Sequence, residues 1–111
     1  MFSFSNGFSD VSVSDLKKVL EDKKTIVIDV RTPEEYKEEH IAGTTLIPLN
    51  HLENEVEKLF PDKDQIIYLH CRSGGRSSVA ASLMLSLGYK KVFNVTGGIL
   101  AWKNSGYKTV S

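Results

Sequence analysis

An α/β fold is the expectation for this chain, a three-layer domain with a mostly parallel central sheet of about five strands and helices on both faces. Three observations lead there. Short apolar, β-branched runs alternate with helical stretches, the order that builds parallel sheets with crossover helices. The runs themselves, such as Ile66-Ile67-Tyr68-Leu69, are apolar at nearly every position, as strands covered on both faces are. At 111 residues, with 41% hydrophobic and 25% charged residues, the chain is expected to be one domain over residues 1–111.

The elements follow in order. Residues 11–13 read as a short strand, after which Ser14 caps a helix to about Lys23 with Leu16, Val19 and Leu20 inward. Residues 25–30 form a β-branched second strand. Pro33 opens an acidic helix ending near His40, since proline suits a first helical position. Residues 44–47 are a third strand closed by Pro48. His51 to Phe60 is helical, with Leu52, Val56, Leu59 and Phe60 on one side. Residues 65–70 are the fourth strand. Ser77 to Leu87 is a helix with a stripe of Val79, Ala80, Leu83, Met84 and Leu87, and Gly88 suits its left-handed end. Residues 92–95 are the last strand, and Gly97-Gly98 precede a helix carrying Ile99, Leu100 and Trp102.

Charge and composition exclude several classes. No apolar run approaches the roughly 20 residues of a membrane span, and Met1–Gly7 has no basic start or long apolar core. Neither a signal peptide nor a membrane segment is expected. One cysteine makes no internal disulfide, which fits a cytoplasmic setting. There is no basic-aromatic patch of the kind that binds nucleic acid. Three scattered histidines and one cysteine offer no metal-ligand spacing, so neither a metal nor a cofactor is expected. The zero net charge hides a division: residues 1–64 hold all 14 acidic side chains and eight of the 14 lysines and arginines, whereas residues 65–111 hold six basic side chains and no carboxylate. A small anion is the ligand such a second half would attract.

Cys71 is the chemical focus. It ends an apolar strand and begins Cys71-Arg72-Ser73-Gly74-Gly75-Arg76-Ser77, a short glycine-rich loop with two arginines that runs into a helix. Loop N–H groups, the helix dipole and Arg72 and Arg76 all favour a thiolate, lowering a cysteine pKa into the range of about 3.5 to 7.5. Open sheets bind ligands beyond the carboxyl ends of their strands, where Asp29-Val30-Arg31, Cys71 and Thr96-Gly97-Gly98 all fall. His70 adjoins Cys71, yet neighbouring strand residues point to opposite faces, so it is a poor base. Asp29 reads as a loop anchor, His40 as a turn residue, His51 as surface and Trp102 as core.

Three segments resemble the rhodanese-like sulfurtransferases: Asp29-Val30-Arg31-Thr32-Pro33-Glu34-Glu35-Tyr36 with His40-Ile41-Ala42-Gly43 and Ile47-Pro48; the Cys71–Ser77 loop; and Val95-Thr96-Gly97-Gly98-Ile99-Leu100-Ala101-Trp102. The resemblance implies a single rhodanese-like domain with its core at about 11–106. It also implies double displacement. Cys71 would attack the sulfane sulfur of a small anionic donor such as thiosulfate, hold it as a persulfide, and pass it to cyanide or a thiol. The N–H groups from Arg72 to Arg76 would stabilise that persulfide. Gly74 and Gly75 would permit the loop's backbone angles, and Ser73 and Ser77 would donate to sulfur or cap the helix, Ser77 the latter. Arg72 and Arg76 would draw in the donor or pair with a carboxylate such as Asp29 or Glu34. Glu39, Thr44 and Leu46 depart from the family's usual residues, and Gly75 replaces a larger side chain, which bears on substrate preference.

A second reading is a carrier or regulatory module that relays sulfur to a partner protein. The lone thiol agrees with either, since no resolving cysteine can discharge it and an outside acceptor is needed. A third is a cysteine phosphatase or arsenate reductase, which requires Cys-x5-Arg. Here Arg76 is five residues after Cys71 and Ser77 stands sixth, so the loop is one residue short for a tetrahedral oxyanion.

Overall fold

A computed structural model describes residues 7–111; Met1–Gly7, read above as lacking a targeting segment, lies outside them but for Gly7. Five strands, β1 (Ser9–Val11), β2 (Ile26–Asp29), β3 (Thr45–Leu46), β4 (Ile66–His70) and β5 (Lys91–Val95), form one sheet in the order β1-β5-β4-β2-β3. Every pairing is parallel. The helices are α1 (Val13–Val19), α2 (Pro33–Glu38), α3 (Leu52–Leu59), α4 (Gly75–Ser86) and α5 (Gly98–Asn104), with a 3-10 turn at Leu49–His51 before α3. This is the expected three-layer α/β architecture, with the sheet wholly rather than mostly parallel.

Strand parity builds two cores. Ile28, Ile67, Leu69, Cys71 and Val92 pack with Leu52 and Val56 of α3 and Ala80, Ala81 and Met84 of α4. On the other face Val27 and Val95 pack with Val13 and Leu16 of α1 and Ile99 and Trp102 of α5. Because alternate residues of a strand face opposite ways, Cys71 belongs to the α3/α4 face and His70 to the other. Trp102 is core, as expected, and its Nε1–H donates to the Lys108 carbonyl at 2.9 Å.

Several boundaries differ from the sequence reading. The first strand lies two residues earlier, because Ser12, not Ser14, caps α1: Asp15 N–H donates to Ser12 Oγ and Ser12 N–H to Asp15 Oδ2, a reciprocal box that Ser14 has no partner to make. Pro33 does open α2, and Thr32 with Glu35 forms the same box there. β3 keeps only two of four expected residues. Helix α4 begins at Gly75 rather than Ser77, since the loop closes directly into it and Ser78 N–H donates to the Gly74 carbonyl at 3.1 Å. That start centres the buried stripe on Ser77, Ala80, Ala81 and Met84, leaving Val79 58% exposed. Leu59, expected inward on α3, is likewise exposed, since Leu52 and Val56 alone face the sheet.

Candidate active site

The site is a ring of backbone around one sulfur. Cys71 follows the last residue of β4 and is 1% exposed. Gly74 N–H donates to its Sγ at 3.1 Å, Ser77 N–H lies 3.4 Å away, and Ser77 Oγ lies 3.4 Å away. Burial pushes the thiol pKa up, but the hydrogen bonds from the Ser77 hydroxyl and from the N–H groups of Ser77, Gly74 and Ser73 outweigh it and leave the pKa below the ordinary cysteine value. Gly74 adopts φ 114, a left-handed backbone that other residues resist.

One of the N–H groups is aimed by a contact from outside the loop. Ile99 N–H donates to the Cys71 carbonyl at 3.0 Å and Leu100 N–H to the Arg72 carbonyl at 3.1 Å, both from the start of α5. A trans peptide points its N–H opposite its carbonyl. With the Arg72 carbonyl fixed on α5, the Ser73 N–H of the same peptide is turned toward sulfur. The approach is close enough to demand glycine at 98, where a Cβ would overlap both carbonyl oxygens. The start of α5, Gly98 to Leu100, therefore acts as a latch on the Cys71 loop.

His70 adds to this latch from the other face. It is fully buried, and its Nδ1–H donates to the Cys71 carbonyl at 3.1 Å, since a carbonyl accepts only. Its Nε2 lies 3.5 Å from Asp29 Oδ2, and burial holds its pKa below the ordinary histidine value despite that carboxylate. His70 thus does not reach the sulfur. Asp29 is an anchor: its carboxylate accepts Arg31 N–H, Nε–H and Nη2–H at 2.8 to 3.0 Å, and Arg31 Nη2 also donates to the Glu39 carbonyl at 2.9 Å. His40 stacks on Tyr36 and its Nδ1 lies 2.8 Å from the Tyr36 carbonyl, a turn contact as expected. His51 is exposed.

The two loop arginines part company. Arg76 makes a bidentate pair with Glu35 of α2 at 2.7 and 2.9 Å, and this guanidinium holds the Glu35 carboxyl well below its usual range, at about 2. The partner is neither Asp29 nor Glu34. Among the described residues Arg72 has no carboxylate within 4 Å and stands exposed at the rim beside Ser73 and Gly75. A Cβ at Gly75 would meet nothing within 4 Å. Ser77 does not cap α4; Gly74 is the N-cap residue, and the Ser77 hydroxyl faces Gly74 O, Asn94 and the sulfur instead. Asn94, Asp10, Glu35 and the latch role of Gly98 were not read from the sequence. Asn94 left one signal, a polar residue between Phe93 and Val95 in the apolar run of its strand.

The sequence pattern of the rhodanese-like domain matches residues 12–105. The chain belongs to the rhodanese-like family. It is similar to a sulfurtransferase of Allochromatium vinosum, 30% identical over 95 residues that cover 86% of this chain and 87% of that protein. It is 36% identical over 70 residues to thiosulfate sulfurtransferase PspE of Escherichia coli, covering 63% and 67%. YrkF of Bacillus subtilis, whose name marks it provisionally as a sulfur carrier protein, is 37% identical over 99 residues; the match covers 88% of this chain and 52% of YrkF, about half its length. Among solved structures, a rhodanese-like domain protein of Staphylococcus aureus superposes with a TM-score of 0.79 at 31% identity, covering 94% of this chain and all of that one. Sulfur transfer or sulfur carriage is thus the family's business here. Among the described residues no helix is long and apolar enough to cross a membrane.

Proposed function

We propose that this rhodanese-like chain is a sulfurtransferase of the thiosulfate type, acting as one domain with Cys71 as nucleophile. The observation that carries the reading is the sulfur's surroundings: a nearly inaccessible thiol that nonetheless receives N–H groups from Ser73, Gly74 and Ser77 and is held as an anion more readily than an ordinary cysteine. A buried apolar cysteine would have its pKa raised instead.

The Cys71 thiolate attacks the outer sulfur of thiosulfate. A Cys71 S–S bond forms, the donor's S–S bond breaks, and sulfite leaves with that electron pair. One negative charge then rests on the outer sulfur of the persulfide, which the loop of N–H groups from Arg72 to Arg76 stabilises as it would an oxyanion. Arg72, the unpaired rim cation, meets the dianionic donor. Arg76, bound to Glu35, fixes α2 against α4 beside the loop. Cyanide or a thiolate then attacks the outer sulfur, and the electron pair of the S–S bond returns to Cys71. Such a thiol works only while reduced, so we place it in the cytoplasm.

The carrier reading uses the same persulfide with a protein as acceptor. The likeness to YrkF supports it. Loading the protein with thiosulfate, measuring the mass added at Cys71, and then offering cyanide, small thiols and protein acceptors tests both. Rapid discharge by small acceptors supports the enzyme; a persulfide that only a protein discharges supports the carrier.

A further inference from the structure

The Ser77 hydroxyl beside the nucleophile has one proton and three acceptors. Asn94 Oδ1 lies 2.6 Å from Ser77 Oγ, the Gly74 carbonyl 3.2 Å and Cys71 Sγ 3.4 Å. Asn94 is on β5, level with Leu69 of β4 and Asp10 of β1 in the parallel register, so its side chain rises on the face that carries Cys71. Chemistry tells the two ends of its carboxamide apart. Asn94 Nδ2 is 3.1 Å from Asp10 Oδ1, and a carboxylate only accepts, so the NH2 faces Asp10 and the carbonyl faces Ser77. That carbonyl also only accepts. The 2.6 Å contact therefore contains the Ser77 proton, and the hydroxyl turns its lone pairs to the sulfur, an arrangement that suits a neutral thiol.

A thiolate wants the opposite, because a hydrogen bond to an anion is stronger than one to a neutral amide. We propose that Asn94, oriented by Asp10, is a positioning residue acting through Ser77: it holds the hydroxyl proton while the inner sulfur is uncharged and releases it when Cys71 becomes a thiolate. This rests on the reading of Cys71 as the nucleophile. In the persulfide the inner sulfur carries two covalent bonds and no charge, and the negative charge sits on the outer atom. The hydroxyl then returns to Asn94. During discharge the S–S electron pair comes back to Cys71 and the hydroxyl turns to it again. No proton is exchanged; only the Cβ–Oγ bond rotates.

Asn94 and the thiolate thus compete for one donor, which fixes a sign. Replacing Asn94 makes the thiolate easier to form, whereas Ser77→Ala makes it harder. Asp10→Ala lets the carboxamide turn over, present its NH2 to Ser77 Oγ and free the proton for sulfur. The other charged groups of the neighbourhood, Arg72, Arg76 with Glu35, and Asp29 with Arg31 and His70, make no hydrogen bond to Ser77 or Asn94 among the described residues and are common to all variants.

The test is titration of the only thiol, followed by thiolate ultraviolet absorbance against a Cys71→Ser reference, in the parent, Asn94→Ala, Asn94→Leu, Asp10→Ala, Ser77→Ala and the doubles with Ser77→Ala. Asn94→Leu keeps the branched shape without a polar atom, and Asp10→Ala alters an exposed residue if the Asn94 variants fold poorly. The titration uses no sulfur donor, so it is independent of whether the protein turns over thiosulfate. The expected result is a downward shift of about half a pH unit or more for the Asn94 and Asp10 variants, roughly threefold in the thiolate-to-thiol ratio, an upward shift for Ser77→Ala, and no further effect of Asn94 or Asp10 once Ser77 is alanine. An unchanged or raised pKa in the Asn94 variants overturns the proposal. So does an equal shift in the Ser77→Ala background, which would make the effect one of charge alone.

Discussion

Arg72 and Arg76 carry the same charge four residues apart, yet the structure gives them different work. Arg76 spends its guanidinium on Glu35, and Arg72 faces solvent at the loop rim. If Arg72 is the cation that meets thiosulfate, Arg72→Ala should raise the apparent KM severalfold at low ionic strength and flatten its dependence on salt, since the Debye length falls from ~30 Å at 0.01 M to about 3 Å at 1 M. Arg76→Ala should lower kcat/KM by a similar factor at every salt concentration, because it unties α2 from α4. Measured salt slopes that are equal for the two variants would remove the distinction. The Cys71 loop was legible in the sequence because its chemistry is contiguous. Asn94 and Glu35 were not, because each reaches the site through strand register or helix packing that no local spacing encodes.

At the scale of elements, the site depends on the start of α5 as well as on the loop's own composition. Two N–H groups of α5 hold the Cys71 and Arg72 carbonyls outward, and Gly98 makes the approach possible. Gly98→Ala places a methyl group on both carbonyl oxygens at a left-handed backbone, where even an unobstructed side chain costs roughly 1–2 kcal/mol. Thermal denaturation should show a loss of at least that size, and the Cys71 pKa should rise toward the ordinary cysteine value as the N–H groups splay. A variant with normal thiol titration would show that α5 does not shape the loop. Loop length is the companion test: insertion of one residue between Gly75 and Arg76 should abolish sulfur transfer, and assay of the insertion variant alongside the parent decides it. The third segment, Thr96-Gly97-Gly98, was visible in the sequence as a loop at the same sheet edge as Cys71, without its contact to the Cys71 loop. What it grips became apparent once β4 and β5 lay side by side.

Over the whole molecule, half of the basic side chains in the second half of the sequence meet carboxylates of the first half. Of the six basic residues after position 64, Arg76 pairs with Glu35, Lys90 with Asp64 and Lys103 with Glu39. Long-range attraction of an anionic donor by the second half of the chain is therefore weaker than the linear count suggests; among the described residues Arg72, Lys91 and Lys108 stay outside these pairs, and of the three Arg72 stands at the loop rim. Those pairs have a pH signature instead. Glu35 falls from an ordinary 4.5 to about 2 in the fold, so it contributes stability above pH 4.5 that is lost as the pH drops toward 2. Glu35→Gln should be less stable than the parent at neutral pH and lose less on acidification across that window, read by denaturant unfolding at each pH. The architecture itself, five parallel strands between helices, followed from apolar runs and their alternation, because burial on both faces leaves a strong mark in a sequence. The start of α1 did not, since competing serines at 12 and 14 are separated only by which one finds Asp15.

The central claim is that Cys71 takes and holds one sulfur atom. Incubation of the intact protein with thiosulfate, followed by mass measurement of the peptide that contains Cys71, tests it directly. The expected result is the added mass of a single sulfur on Cys71, removed by cyanide with formation of thiocyanate, and absent from a Cys71→Ser variant whose circular dichroism matches the parent. No added mass on Cys71, or thiosulfate turnover by the serine variant near the parent rate, would contradict the account.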